Sequence, residues 1–225
     1  MSIASQCLLV LQKELRHLWR ARTRATATGA FALATLFLFS FAGGLDSDTL
    51  RGNAAGYLWV GLLLASTLAL GESFRVETEH GALEALLLFP VAPVAIFVGK
   101  ALGNMITLLV VGLVMVPFTI ALFDAGPKEG ILPLLGTVVL GSAAIAAPGT
   151  MHAALASRAR ARDVLLPLLL FPLVLPCVVA SVQATRLLIS GDAMGQFGSW
   201  IAVVAAFATV HWLVGALLFS FVVED

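Results

Sequence analysis

Long apolar stretches dominate the chain, and short polar connections separate them. About 20 helical residues are needed to cross the apolar core of a bilayer. Five stretches reach that length: 25–45, 101–123, 131–156, 164–189 and 200–223. A sixth, 54–71, is shorter but nearly free of charge. The pattern predicts an all-α integral membrane protein with six transmembrane helices, in which residues 1–225 form a single transmembrane domain.

The segment 1–24 has a different pattern, with apolar residues recurring three and four positions apart. These are Leu8, Leu11, Leu15, Leu18 and Trp19, while Lys13, Arg16, Arg20 and Arg24 lie largely on the remaining face. Such a segment is typical of an amphipathic helix lying in the membrane interface. A solvated helix packed on a partner protein would give the same pattern.

The stretch from Ala85 to Phe123 is uncharged except for Lys100 and is too long for one span. Because Pro90 and Pro93 lie in its first half, we predict that this half is interfacial. A seventh or re-entrant span over 85–99 is the alternative, and it would reverse the orientation of everything that follows.

Basic residues decide between the two topologies, because cytoplasmic segments carry an excess of Lys and Arg. With six spans and both termini cytoplasmic, only Arg51, Lys128 and Arg186 of the 13 basic residues lie outside. The other ten, Lys13, Arg16, Arg20, Arg22, Arg24, Arg75, Lys100, Arg158, Arg160 and Arg162, lie inside. The sequence therefore predicts six spans, with residue 128 outside and residue 160 inside.

The composition agrees with a membrane protein. The chain is 60% hydrophobic and 12% charged, whereas soluble domains are roughly half apolar and a quarter charged. Its formal net charge of zero gives no basic surface for nucleic acid. The two cysteines, Cys7 and Cys177, indicate neither a disulfide nor a metal site.

Between the second and third predicted spans lies the most acidic segment of the chain, Glu72 to Glu84. Phe74 and Leu83 can form an apolar side while the charged residues Glu72, Arg75, Glu77, Glu79 and Glu84 stay in water. Gly81 is suited to end or turn this helix. We predict that residues 72–90 form a cytoplasmic coupling segment that docks into a groove on a partner. A solvated connecting loop is the open alternative.

The run GALEALLLFPVAPVAIFVGK, residues 81–100, resembles the stretch that follows the coupling helix in ABC-2-type transporter permeases. Gly81, Leu83, Glu84, Pro90, Gly99 and Lys100 match the pattern, and Ala82 stands where threonine is commoner. The resemblance implies an ABC-2-type permease architecture with a coupling helix between spans two and three.

Within that group, two further stretches resemble the CcmB family. They are AAPGTMHAALASRARARDVLL, residues 146–166, and LPLLLFPLVLP, residues 166–176. The matching positions include Pro148, Gly149, Pro167, Pro172 and Pro176.

The CcmB resemblance implies a permease subunit of an ABC transporter for haem export in the maturation of c-type cytochromes. Its expected partners are a separate ATP-binding subunit, a second copy of the chain and other membrane proteins of cytochrome c maturation. The expected location is the bacterial inner membrane, with haem as substrate. Export of another substrate, such as a drug, lipid or polysaccharide, and a scaffold that releases a haem carrier without transport are the alternatives.

No catalytic or nucleotide-binding motif stands in the sequence. Gly99-Lys100 lacks the upstream glycine and the following Ser or Thr of a phosphate-binding loop, and neither H-E-x-x-H nor G-x-S-x-G occurs. We therefore expect no enzyme, no metal site and no tightly bound cofactor, with ATP used by the partner subunit. His211 lies within a predicted span, where an ionisable residue is a functional candidate; a hydrogen-bonded packing role is the favoured interpretation.

Overall fold

The computed structural model describes residues 2–20, 22–44, 46–79, 91–157, 159 and 162–224. These residues form seven helices. The helices are α1 (Ile3–Arg20), α2 (Arg22–Ala42), α3 (Ser47–Glu79), α4 (Pro93–Phe123), α5 (Ile131–Ser157), α6 (Arg162–Ser190) and α7 (Phe197–Glu224). All the regular secondary structure in the described part of the chain is thus helical, as the sequence predicts.

Five helices are long and apolar enough to cross a membrane: α3, α4, α5, α6 and α7. In α2, the apolar part Thr26–Ala42 is shorter, although the whole helix has 21 residues. At a rise of about 1.5 Å per residue, α2 is about 30 Å long, close to the thickness of an apolar bilayer core. The chain is a multi-pass membrane protein.

Helix α4 begins at Pro93, eight residues before the span predicted to begin at 101. Pro93 occupies the first turn, and Ala92 before it is extended. Proline suits this position because its fixed φ fits a helix and its missing N–H needs no partner there. Residues 93–100 therefore belong to the long helix α4, and the part of the predicted interfacial segment from 85 to 90 lies outside the described residues.

The bundle has two ends, which we name after a residue at each. At the Lys100 end, the beginning of α4 lies beside the last turns of α3, since Lys100 contacts Ser73. At the Arg186 end, the beginning of α3, the α4–α5 loop and the end of α6 line one cavity. Helices α3 to α6 thus run alternately between the two ends.

Helix α5 is the centre of the bundle and packs against α3, α4, α6 and α7. Small residues allow this close approach: Gly141 lies against the Trp59 ring and Gly149 against Leu70. The Trp59 indole Nε1–H donates to Thr185 Oγ1 over 2.8 Å. Trp59 of α3 thus contacts both α5 and α6 at the same depth in the bundle.

Two carboxylates cap helices at the Arg186 end. Asp46 accepts hydrogen bonds from the Thr49 hydroxyl and backbone N–H at the start of α3. Asp192 accepts the backbone N–H groups of Gln196 and Phe197 at the start of α7, each over 2.8 Å. The Thr49 side chain lowers the pKa of Asp46, and the Phe197 and Gln196 N–H groups lower the pKa of Asp192, because both sets of bonds favour the ionised carboxylate.

Candidate functional site

A buried lysine marks the place where α1, α3 and α4 meet. The Lys100 side chain has no exposed surface, although it is charged and close to the beginning of α4. Its ammonium group lies 3.2 Å from Glu14 Oε1 on α1 and donates a 2.9 Å hydrogen bond to the Ser73 carbonyl on α3. It also lies 4.4 Å from the centre of the Phe74 ring. We call Lys100, Glu14, Ser73 and Phe74 the Lys100 junction.

The junction keeps the Lys100 side chain inside the bundle, although a lysine near the end of a span generally extends to the lipid headgroups. A lysine extends to water when nothing nearby compensates its charge. Here a carboxylate, a carbonyl and an aromatic face surround the ammonium group, and such partners make burial of a charge tolerable. Lys100 is therefore an internal connection between helices.

Close packing brings Glu14 to this position. A Cβ atom added to Gly99 would lie 2.6 Å from Val10 Cβ, and one added to Gly103 would lie 2.9 Å from Glu14 Cβ. The glycines on α4 thus form a flat surface that receives α1. A 3.0 Å hydrogen bond from the Ala92 backbone N–H to Gln6 Oε1 fixes the same pair of helices one turn away.

Helix α1 presents different faces to its surroundings. Val10 and Glu14 face α4 and are buried, whereas Leu8, Leu15 and Trp19 are exposed. Lys13 and Arg16 are also exposed. An exposed apolar stripe beside basic residues is the arrangement expected of an interfacial helix, and the buried face of α1 packs against α4.

Phe74 is buried, with 1% of its surface exposed. The sequence had placed it on the side of the coupling segment that faces a partner. The structure places its ring under the Lys100 ammonium group, so direct contact between Phe74 and a partner is excluded in this conformation. The aromatic ring instead fixes the last turns of α3 to α4.

The remaining residues of the predicted coupling segment divide into two groups. Glu72 is half-buried on α3, and Arg75, Glu77 and Glu79 lie on its last turns. The helix thus continues from the span to Glu79 without a break. Gly81, Leu83, Glu84 and Pro90 lie outside the described residues.

The other family-motif residues lie away from the Lys100 junction. Pro148 and Gly149 are buried in α5, where the Pro148 carbonyl lies 2.7 Å from His152 Nδ1. Pro167, Pro172 and Pro176 lie inside α6, and Pro172 and Pro176 are exposed. The motifs thus mark packing within the bundle and the outer surface of α6, and do not converge on one site.

His211 lies on α7, where its Nδ1 is 2.8 Å from the Phe207 carbonyl and its ring stacks on Phe207 at 3.9 Å. This geometry fits the hydrogen-bonded packing role. Over the described ranges, no three His, Cys, Asp or Glu side chains come together as metal ligands.

Sequence reasoning missed Glu14 and Ser73. A signal for Glu14 was available, because it is the only acidic residue among the first 45 positions and it lies one helical turn after Val10. Ser73 gave no signal, because its contribution is a backbone carbonyl.

Comparison with known proteins agrees with the sequence resemblance. A family model described as "CcmB protein" matches residues 5–224. "Heme exporter protein B" of Rhodobacter capsulatus is 32% identical over 177 residues, which are 79% of this chain and 81% of that protein. "Heme exporter protein B" of Pseudomonas aeruginosa is 28% identical over 200 residues, 89% of each chain. The similarity therefore extends over both ends of the bundle.

Proposed function

Because the chain belongs to the CcmB family, we propose that it is the membrane permease subunit of an ABC transporter for haem export in c-type cytochrome biogenesis. The observation that carries this proposal is the family match over residues 5–224. The relatives named "Heme exporter protein B" and the five long apolar helices support it.

We place six spans, α2 to α7, across the bacterial inner membrane, with both termini in the cytoplasm. The Lys100 end is then cytoplasmic and the Arg186 end is outside. The distribution of basic residues supports this orientation, because Arg51, Lys128 and Arg186 are all that the outer segments hold of the 13. The length of α2 supports counting it as a span.

Coupling to ATP hydrolysis follows from the orientation of α3. A separate ATP-binding subunit engages residues 72–90 on the cytoplasmic side, where the charged residues of that segment form the contact. Movement of the last turns of α3 then reaches α4 and α1 through the Lys100 junction, since Ser73 and Phe74 both contact Lys100. No catalytic step is assigned to this chain, because the partner hydrolyses ATP.

Other partners follow from the family and from the surface of the bundle. Exposed apolar residues follow α7 from end to end: Val203, Val210, Leu213, Leu217 and Phe221. Lipid, a second copy of this chain, or other membrane proteins of cytochrome c maturation cover such a face in a bilayer. We propose a homodimer that binds two ATP-binding subunits.

The test of this function is haem staining of periplasmic c-type cytochromes in a strain that lacks the gene. We expect the stained bands to disappear and to return with the intact gene, but not with an empty vector. Stained bands that persist in the deletion strain would contradict the haem function and favour another exported substrate.

A second strain, with an inactive partner ATPase, separates the transporter from a passive scaffold. The proposed function predicts the same loss of stained cytochromes in that strain, because the permease works only when driven by ATP hydrolysis. Normal cytochromes there would favour the scaffold.

A further inference from the structure

A cavity of about 290 Å³ opens at the Arg186 end of the bundle. Three separate parts of the chain form its walls: the first turns of α3, the α4–α5 loop and the last turns of α6. The lining residues are Asp48, Arg51, Gly52, Ala55, Lys128, Arg186, Ile189 and Ser190. The cavity therefore depends on the packed bundle and is not a feature of one loop.

The cavity is strongly positive. Arg51, Lys128 and Arg186 contribute three positive charges and Asp48 one negative charge, so the net formal charge of the lining is 3 − 1 = +2. The ion pairs within 4 Å that the structure gives for its described residues, Lys13–Glu14 and Lys100–Glu14, are both at the opposite end. Bringing three like charges together costs free energy, which a bound anion would offset.

Hydrogen bonds hold the loop that carries Lys128 in place. Its backbone N–H donates to the Leu188 carbonyl over 2.8 Å, and its Nζ donates to the Ser190 carbonyl over 3.0 Å. One turn before the end of α6, Thr185 accepts the indole N–H of Trp59. The positions of Lys128 and Arg186 relative to α3 are thus fixed before any ligand arrives, which lowers the cost of binding.

These contacts explain Lys128 in part, but they give no structural role to Arg51 or Arg186. Arginine is the preferred partner of carboxylate and phosphate groups, because its guanidinium donates two parallel hydrogen bonds. Ala55 and Ile189 add an apolar wall beside the cations. The lining thus suits an anionic group attached to an apolar body.

We propose that this cavity binds the carboxylate or phosphate group of an anionic amphipathic molecule at the outer side of the membrane. Two sources share this chemistry: a propionate of haem and the phosphate of an anionic lipid. Assigning the site to haem rests on the function proposed above, whereas the anion site itself rests on the geometry alone. The volume accommodates the anionic head, and the apolar body extends into the membrane.

The test uses the full-length protein in phosphatidylcholine nanodiscs, titrated with haemin, with haemin dimethyl ester and with phosphatidylglycerol. Arg51→Gln/Arg186→Gln removes two cavity cations, and Arg186→Gln removes one. Arg16→Gln is the matched control, because it removes one exposed arginine at the opposite end. Thermal melting of each variant confirms that it is folded.

We expect Arg186→Gln to weaken binding of at least one anionic probe roughly tenfold, the effect of losing one charge-assisted hydrogen bond. The double variant weakens it further, and Arg16→Gln leaves it unchanged. A loss for haemin but not for its ester, which lacks free carboxylates, identifies the haem propionate; a loss for phosphatidylglycerol identifies a lipid phosphate. Equal binding of both anionic probes by the double variant and Arg16→Gln, or no binding by the wild type, would overturn the site.

Binding to the purified protein is independent of the cytochrome phenotype. If binding of haemin or lipid requires the cavity cations, but deletion of the gene leaves the cytochromes unchanged, the anion site is retained and haem export is rejected. If deletion removes the cytochromes, but binding does not require the cavity cations, haem export is retained and the anion site is rejected.

Discussion

Replacing Glu14 with alanine is expected to lower the free energy of unfolding by about 1.5–3 kcal/mol, because it removes a carboxylate that lies 3.2 Å from the buried Lys100 ammonium group. The Lys100 side chain has no exposed surface, and that of Glu14 is 12% exposed, so solvent screens the pair weakly. The measurement is thermal denaturation of the purified protein in detergent, where the midpoint falls by several degrees.

Glu129→Ala is the matched control, because it removes the same side chain from an exposed loop position. Its midpoint should stay close to that of the wild type. The double variant Glu14→Leu/Lys100→Met removes both charges and should recover most of the lost stability, since apolar residues often replace a buried ion pair without cost. Equal midpoints for Glu14→Ala and Glu129→Ala would show that the junction contributes nothing to stability.

Gly141→Ala should also destabilise the bundle, by about 1–3 kcal/mol, the usual cost of overpacking a core. The added methyl group would overlap the ring of Trp59. That ring is buried and its indole N–H is bonded to Thr185, so it cannot move aside without losing a hydrogen bond. The expected result is a lower midpoint of thermal denaturation.

Gly136→Ala on the same helix provides the comparison. An added methyl group there meets nothing within 4 Å. Alanine favours a helix over glycine by roughly 0.5–1 kcal/mol, so the expected change has the opposite sign. If the two variants have the same midpoint of thermal denaturation, close packing between Gly141 and Trp59 does not stabilise the protein.

The sequence predicted the helical membrane architecture because the length of each apolar stretch follows directly from the order of residues along the chain. In the sequence, Pro90 and Pro93 indicated a break before a span that begins at residue 101, whereas Pro93 lies in the first turn of the helix α4. Residues 93–100 were therefore assigned to an interfacial segment although they continue α4.

The Lys100 junction was beyond sequence reasoning for a different reason. An isolated lysine near the end of a span is expected to reach water. Its partners Glu14 and Ser73 are 86 and 27 positions away along the chain, and only packing of α1 and α3 on α4 brings them together. Phe74 shows the same limit. The periodicity of the sequence separated the apolar side of the segment that contains Phe74 from its charged side, but it did not show what the apolar side contacts.

The orientation of the bundle is the claim on which the coupling role depends, and it also decides whether the anion site lies at the outer side of the membrane. It is tested by single-cysteine labelling in intact cells with a maleimide that does not cross the inner membrane. The background carries Cys7→Ala and Cys177→Ala. Met194→Cys reports the Arg186 end, where Met194 is exposed in the α6–α7 loop, and Gln12→Cys reports exposed α1. We predict labelling of Met194→Cys in intact cells and of Gln12→Cys only after the membrane is disrupted; the reverse, or labelling of both in intact cells, would contradict the orientation.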